Sequence, residues 1–190
     1  MPNLKPFRDY DEHDVLNLFS LSGSDSTNKG TFVKIQSGWT NDDFDRNPML
    51  AGNWTSYQNT VSVRYGVRAQ VVACSSGDSA IGMTLYDVRE RDENGELLIY
   101  NPRKAGEMQC VMSGQAVPIV TRGTFLYSGI AGTVSAGQPI YPTTNGELTV
   151  QTSGTQVVSG VSQNFPQSNV CGKTLGPKDS QGWCLIWVDC

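Results

Sequence analysis

The chain has 190 residues and a formal net charge of -4, with 38% apolar and only 17% charged residues, and 20 Gly beside 9 Pro. A length of this order is one domain, or one domain with an arm, and a Gly/Pro/Ser/Thr-rich balance favours strands joined by polar turns over a helical bundle. The acidic charge and scattered basic residues argue against a nucleic-acid binder, and no apolar run approaches the ~18 residues of a membrane span.

Residues 1–22 read as an extended N-terminal arm and residues 23–190 as a β-rich domain. Pro2 and Pro6 block helix, and Leu4, Phe7 and Tyr10 recur every three positions, a spacing that buries little against itself. Lys5 and Arg8 are followed by acids instead of an apolar stretch, so no secretory leader is expected. Residues 15–21 read as a first strand or one helical turn capped by Asp11 or Asp14. A Gly/Ser/Asn loop follows, then an alternating strand at 31–37. Residues 38–60 form a long irregular loop carrying Trp39, Phe44, Trp54 and Tyr57, and loops of that length usually serve function or pack on a neighbour.

The clearest periodicity is at 61–74, where Val61, Val63, Tyr65, Val67, Ala69, Val71 and Ala73 share one face of a half-buried strand. Residues 80–90 read as its partner, and Asn94-Gly95 as a tight hairpin into a strand at 97–100. Further strands are expected at 109–112, 116–127 and 140–141, at 147–151 after a second Asn-Gly turn, and at 157–161 and 185–188. No helix beyond a turn or two is expected. About nine to eleven short strands with regular turns predict an all-β fold, a single β-barrel or β-sandwich.

Charge thins along the chain: residues 123–190 hold three acids and two bases. Such a stretch suits either a surface covered by something else or a compact uncharged β-domain. The five cysteines are widely spaced with no CxxC pair and a single His, which predicts buried, reduced thiols, with a disulfide among Cys171, Cys184 and Cys190 as the rival.

Catalytic chemistry finds little footing. A Ser-His-Asp or Cys-His hydrolase needs an imidazole, and His13 sits in the acidic stretch DYDEHD. No GxSxG elbow or GxxxxGK[ST] loop occurs, and Gly129, Gly132 and Gly137 read as turn glycines. Paired carboxylates for glycoside hydrolysis would have to come from Asp42, Asp43, Asp45, Glu90, Asp92, Glu93, Glu96 or Glu107, most of them at turns. Asp43-x-Asp45-x-Asn47 opens like a calcium loop, but Pro48 replaces the required Gly and Trp54 the closing Glu. No enzyme, cofactor or metal is expected. Asn53-Trp54-Thr55 is an isolated glycosylation sequon. Trp39, Trp54 and Tyr57 are either a sugar-stacking set or core and interface anchors. Trp183 and Trp187, four apart, should share one face, as core or subunit contact.

Three stretches carry a family likeness: LKPFRDYDEHDVLNLFSL leading through a polar loop to NKGTFVKI, then VPIVTRGTFLYSG, then SAGQPIYPTTNGELT leading to VVSGVSQNF. Together they cover about half the chain, and they resemble the decoration, or cement, proteins of tailed-bacteriophage heads. The resemblance implies a virion structural protein, made in the host cytoplasm, that binds the outer capsid surface and bridges major capsid protein subunits. It further implies a homotrimer matched to the symmetry of the shell, with no nucleic acid or membrane as partner. Leu4, Phe7, Tyr10, Val15, Leu18 and Phe19 are the expected capsid-binding anchors of the arm, with Trp39, Phe44, Trp54 and Tyr57 as a surface contact loop. The alternatives are another virion part, such as a head fibre, neck or tail component, and a carbohydrate-binding β-sandwich.

Overall fold

The structure, a computed structural model, describes residues 4–6, 11–21, 26–37, 69–112, 114–150, 154–158, 161–165 and 169–190. It is all-β and sandwich-like, and its sheets do not close into a barrel. One sheet has seven strands in the order β1 (Leu4–Pro6), β11 (Arg122–Tyr127), β18 (Cys184–Asp189), β17 (Gly172–Thr174), β13 (Pro139–Pro142), β14 (Leu148–Thr149) and β12 (Ile130–Ala131). A six-stranded sheet runs β2 (Val15–Leu16), β10 (Ile119–Val120), β7 (Gly82–Thr84), β5 (Phe32–Ser37), β6 (Gln70–Ala73) and β3 (Ser20–Leu21). A third sheet joins β4 (Ser26–Thr27), β8 (Asp87–Arg89) and β9 (Cys110–Met112), and β15 (Gly154–Val158) pairs with β16 (Val161–Phe165) as a hairpin. Parallel pairs β12–β14, β3–β6 and β8–β9 interrupt the otherwise antiparallel order.

The six-stranded sheet is a middle layer. Phe32, Met83 and Val120 pack with Leu4, Phe125, Tyr127, Ile140, Leu148, Ile186 and Val188 of the seven-stranded sheet. Their chain neighbours Val33 and Ile119 pack instead with Leu21, Val71, Val117 and Val88 on the other side. Consecutive residues of a strand point to opposite faces, so Phe32-Val33 and Ile119-Val120 are the continuous apolar pairs that a two-sided layer requires. Between the layers Phe32 meets Tyr127 edge-on, with centroids 6.1 Å apart and planes at 89°. The quadrupoles of the rings favour that approach. The Tyr127 hydroxyl has no hydrogen-bond partner among the described residues, and burial pushes its pKa up.

Several expected strands are present in whole or part: β5, β9, β13, β14 and β18. Of the long alternating strand only the end is described, as β6, with Ala69 and Val71 buried. Two stretches expected as single strands are each divided between sheets. Residues 80–90 bend at Leu85-Tyr86, so β7 joins the middle sheet and β8 the third. Residues 116–127 break at Thr121, whose amide and hydroxyl both donate to the Asp14 carbonyl, at 2.8 and 3.1 Å, sending β10 and β11 into different sheets. The expected strand at 157–161 instead spans the junction of β15 and β16.

Asn145-Gly146 makes the expected tight turn, both residues with positive φ, 62° and 70°. Glycine is needed at 146: a Cβ there would lie 2.5 Å from the Phe32 carbonyl oxygen. The strand expected at 97–100 is absent. Only Arg91 and Leu97 bridge, and residues 98–100 form a 3-10 turn leading into a helix α1 (Pro102–Glu107) that the sequence reading lacks. Pro at the first helical position, followed by Arg103, Lys104 and Ala105, is its local cause.

The division at residue 22 does not mark a break in the fold. Leu4 pairs with Tyr127 in β1–β11 and is 3% exposed within the main core, so this part of the expected arm is an integral strand. β2 and β3 likewise belong to the middle sheet. An apolar residue every third position does not match a strand face, but Leu4 alone suffices to seat β1, because it closes over Tyr127 and Gly30. Asp11 caps the turn before β2, accepting the His13 amide at 3.1 Å.

The Asp92 loop is organised by one carboxylate. Asp92 accepts the amides of Asn94 and Glu96 at 2.8 and 2.7 Å and is paired with Lys104 of α1. The Lys104 hydrogen bond, aided by the two amides, holds its pKa below the ordinary 3.8. A depressed carboxylate contributes stability that is present above the unfolded pKa and lost as pH falls through the folded one. Asp92→Asn should therefore lower the melting temperature at neutral pH and remove part of the acid-induced loss below 3.8. Parallel acid melts of parent and variant would check this, and curves that stay parallel below 3.8 would refute it.

Candidate functional site

The outward side of the seven-stranded sheet is the most distinctive surface among the described residues. Phe125 and Tyr127 of β11 and Cys184, Ile186 and Val188 of β18 point into the core. Strand alternation turns Arg122, Thr124, Leu126, Leu185, Trp187 and Asp189 the other way. Register lines them up in rows. Lys5 stands opposite Leu126 and Leu126 opposite Leu185, with the Leu175 amide bonded to the Leu185 carbonyl at 2.8 Å. The next row is Thr124, Trp187, Lys173 and Pro139, and beyond it Arg122 faces Asp189.

Cations cover the two indoles of this face. Lys5 Nζ lies 4.6 Å from the Trp183 ring centroid, and the Arg122 guanidinium carbon 5.9 Å from that of Trp187. Arg122 also approaches Asp189 at 3.7 Å. Each cation–π contact is worth ~0.5–1 kcal/mol at exposed positions, and the exposed ion pair adds little. Their effect is to fix the orientation of long side chains before any partner arrives. Leu175 is 47% exposed beside them. Lys5, Arg122 and Lys173 against Asp189 make a locally positive, half-apolar surface on a chain whose net charge is -4. Trp and Arg flanked by apolar residues are the composition of protein-binding hot spots.

Trp183 and Trp187 share a face as expected, but both are half-buried on the outside, and Trp183 precedes β18. The core expectation fails because the inward positions of β18 have the opposite parity. Of the expected arm anchors, Leu4 is internal, Val15 packs against the main core, and Phe19 is half-buried against the second cluster. Leu18 alone is well exposed, at 48%. Phe7, Tyr10, Trp39, Phe44, Trp54 and Tyr57 lie outside the described residues. Among the described residues the expected anchors Leu4, Val15, Leu18 and Phe19 are not brought together on one surface. Lys5, Arg122 and the outward Leu residues were missed, although charge at 5 and 122 beside alternating strands was the available signal.

His13 is exposed in the turn at Glu12–Asp14, and its amide bonds the Asp11 carboxylate. Among the candidate carboxylates, Asp92 is engaged by its own loop and Glu107 by Arg103 at 3.6 Å. Among the described residues no His, Cys, Asp and Glu cluster is arranged to hold a metal, and no helix is long and apolar enough to cross a membrane. Cys74, Cys171 and Cys184 are buried in the main core. The chain matches no protein-family model, no curated protein and no solved structure.

Proposed function

We propose that the chain is a structural binding protein of the capsid-decoration kind, which attaches to the outside of a phage head and bridges major capsid protein subunits. The observation that carries this reading is the outward face of the seven-stranded sheet, with Trp183 and Trp187 held under Lys5 and Arg122 among half-buried leucines. Its occupant is the major capsid protein. A positive, apolar face suits an acidic or neutral capsid surface at a subunit joint, and a homotrimer would present three such faces around a threefold axis. The sheet face thus takes the docking role that the sequence assigned to an arm. The mature location is the outer capsid surface, after synthesis in the host cytoplasm.

The sugar-binding alternative rests on Trp39, Trp54 and Tyr57, which lie outside the described residues, and at Trp183 and Trp187 it is the less favoured reading. Sugars stack on open ring faces, and here Lys5 and Arg122 each occupy one face of an indole. The test is co-sedimentation of the purified protein with heads of the particle it decorates, together with its native mass. The expected result is a trimer that pellets in many copies per head and stays bound in high salt. A monomer that ignores heads but is retained on immobilised glycans would overturn the proposal, and binding in a few copies per particle would move the protein to a neck, fibre or tail position.

A further inference from the structure

Two of the five cysteines, Cys171 and Cys190, lie together. Cys171 enters β17 and Cys190 follows β18, and these two strands are paired in the seven-stranded sheet. The Asp189 amide donates to the Cys171 carbonyl at 3.0 Å, and the Cys190 amide to the Thr121 carbonyl at 3.0 Å, so the backbone on both sides of the pair is fixed. Cys190 Sγ lies 3.7 Å from the Cys171 carbonyl oxygen, beside the Cys171 thiol, which itself donates to the Asn169 carbonyl at 3.7 Å. Cys184, the third cysteine of this region, turns away to the Gly176 carbonyl at 3.2 Å. Cys74, from the loop after β6, lies in the same core cluster as Cys171.

We propose that Cys171 and Cys190 are a redox modification site, two adjacent thiols that a low-molecular-weight disulfide converts into an internal bridge locking β17 to β18. Cys190 is exposed and Cys171 buried, which sets the order of events. The Cys190 thiolate attacks one sulfur of oxidised glutathione, forming a mixed disulfide and releasing one glutathione thiolate, which takes up a proton. Cys171, losing its proton to solvent, then attacks the Cys190 sulfur and expels the second glutathione. One S–S bond of the reagent is broken and one S–S bond of the protein is formed. Two protein thiols are oxidised and two glutathione thiols are produced.

The neighbouring Cys171 thiol pushes the Cys190 thiol above its ordinary range, and burial raises Cys74 to about 12. Attack requires thiolate, so Cys190 reacts slowly at neutral pH and faster as pH rises. This suits a protein assembled in a reducing cytoplasm and exposed to oxidant later. The bridge would close a loop between residues 19 positions apart. The site stands whether or not the docking proposal does, because it needs no partner.

The experiment treats the 190-residue chain with excess oxidised glutathione in a series from about pH 8.5 to about pH 10, because the Cys190 thiol titrates above the ordinary range, and maps its peptides without reduction. The expected product is lighter by two hydrogen atoms, carries a Cys171–Cys190 crosslink, and melts about 6–12 °C above the reduced protein. Cys190→Ser should lose both effects while melting like the reduced parent, and Cys74→Ser should retain both. A stable glutathione adduct without an internal bridge, or a crosslink from Cys171 to Cys74 or Cys184, would overturn the assignment. Mapping of the parent chain decides the matter even if a variant fails to fold.

Discussion

Gly172→Ala should remove about 4 kcal/mol or more of stability, or prevent folding altogether. Gly172 is buried in β17 with φ +142°, and a Cβ there would sit 2.0 Å from the Trp187 carbonyl oxygen and 3.0 Å from Val188 Cα. Those are backbone atoms of the adjacent strand, so no side chain can swing aside. Relief would require β17 to move off β18, giving up the Gly172–Val188 and Lys173–Trp187 pairings. The strained conformation adds to the steric conflict, since an L side chain rarely occupies that region. Gly176→Ala is the matched control. A Cβ at 176 meets nothing within 4 Å, and the change should stay within ~0.5 kcal/mol. Urea unfolding of both variants beside the parent would measure the contrast. A Gly172→Ala protein as stable as Gly176→Ala would show that β17 does not lie this close to β18.

Trp187→Ala should weaken attachment to heads by about 30-fold or more, the loss of ~2 kcal/mol typical of a central interface tryptophan. The indole lies on the outward side of β18 and belongs to neither apolar core cluster, so the folded protein should survive the change. Arg122 loses its ring partner in the same variant but keeps Asp189. Lys5→Glu separates charge from area: it should slow association and flatten its salt dependence while leaving residence time less affected. Binding isotherms on purified heads, with circular dichroism to confirm folding, would check both variants. Unchanged affinity for Trp187→Ala would remove the sheet face from the interface.

Much of the architecture was legible because turns and alternation are local. Asn145-Gly146 announces a tight turn that only left-handed backbone satisfies, and β18 follows from an apolar run bounded by Gly182 and Asp189. What failed was long-range. Nothing local to residues 116–127 indicates that Thr121 breaks the strand, because the cause is the Asp14 carbonyl more than a hundred residues away. Leu4 looks like an arm residue until Tyr127 stands opposite it. The middle sheet hides its own nature for a related reason: burial on both faces replaces alternation with runs such as Phe32-Val33, which periodicity cannot assign to either side. The docking face was half visible, since the four-residue spacing of Trp183 and Trp187 places them together, whereas the side they face depends on which residues of β18 meet Phe125 and Met83. The sequence offers a bridge among Cys171, Cys184 and Cys190 only as the rival of buried, reduced thiols, and it is the path of β17 alongside β18 that sets Cys171 beside Cys190.

The pairing of β1 with β11 and of β11 with β18 has a consequence for how the chain is made. A ribosome delivers Leu4 first, yet its partner Tyr127 emerges only after more than a hundred further residues, and β18 later still. The pairing of β11 with β18 therefore cannot form until Asp189 has been made. Until then one edge of β11 is open, although Phe32 and Met83 are already present to cover Leu4 and Tyr127, and the open edge leaves the nascent chain prone to aggregate. Folding is dominated by distant contacts, on a timescale of milliseconds to seconds rather than microseconds.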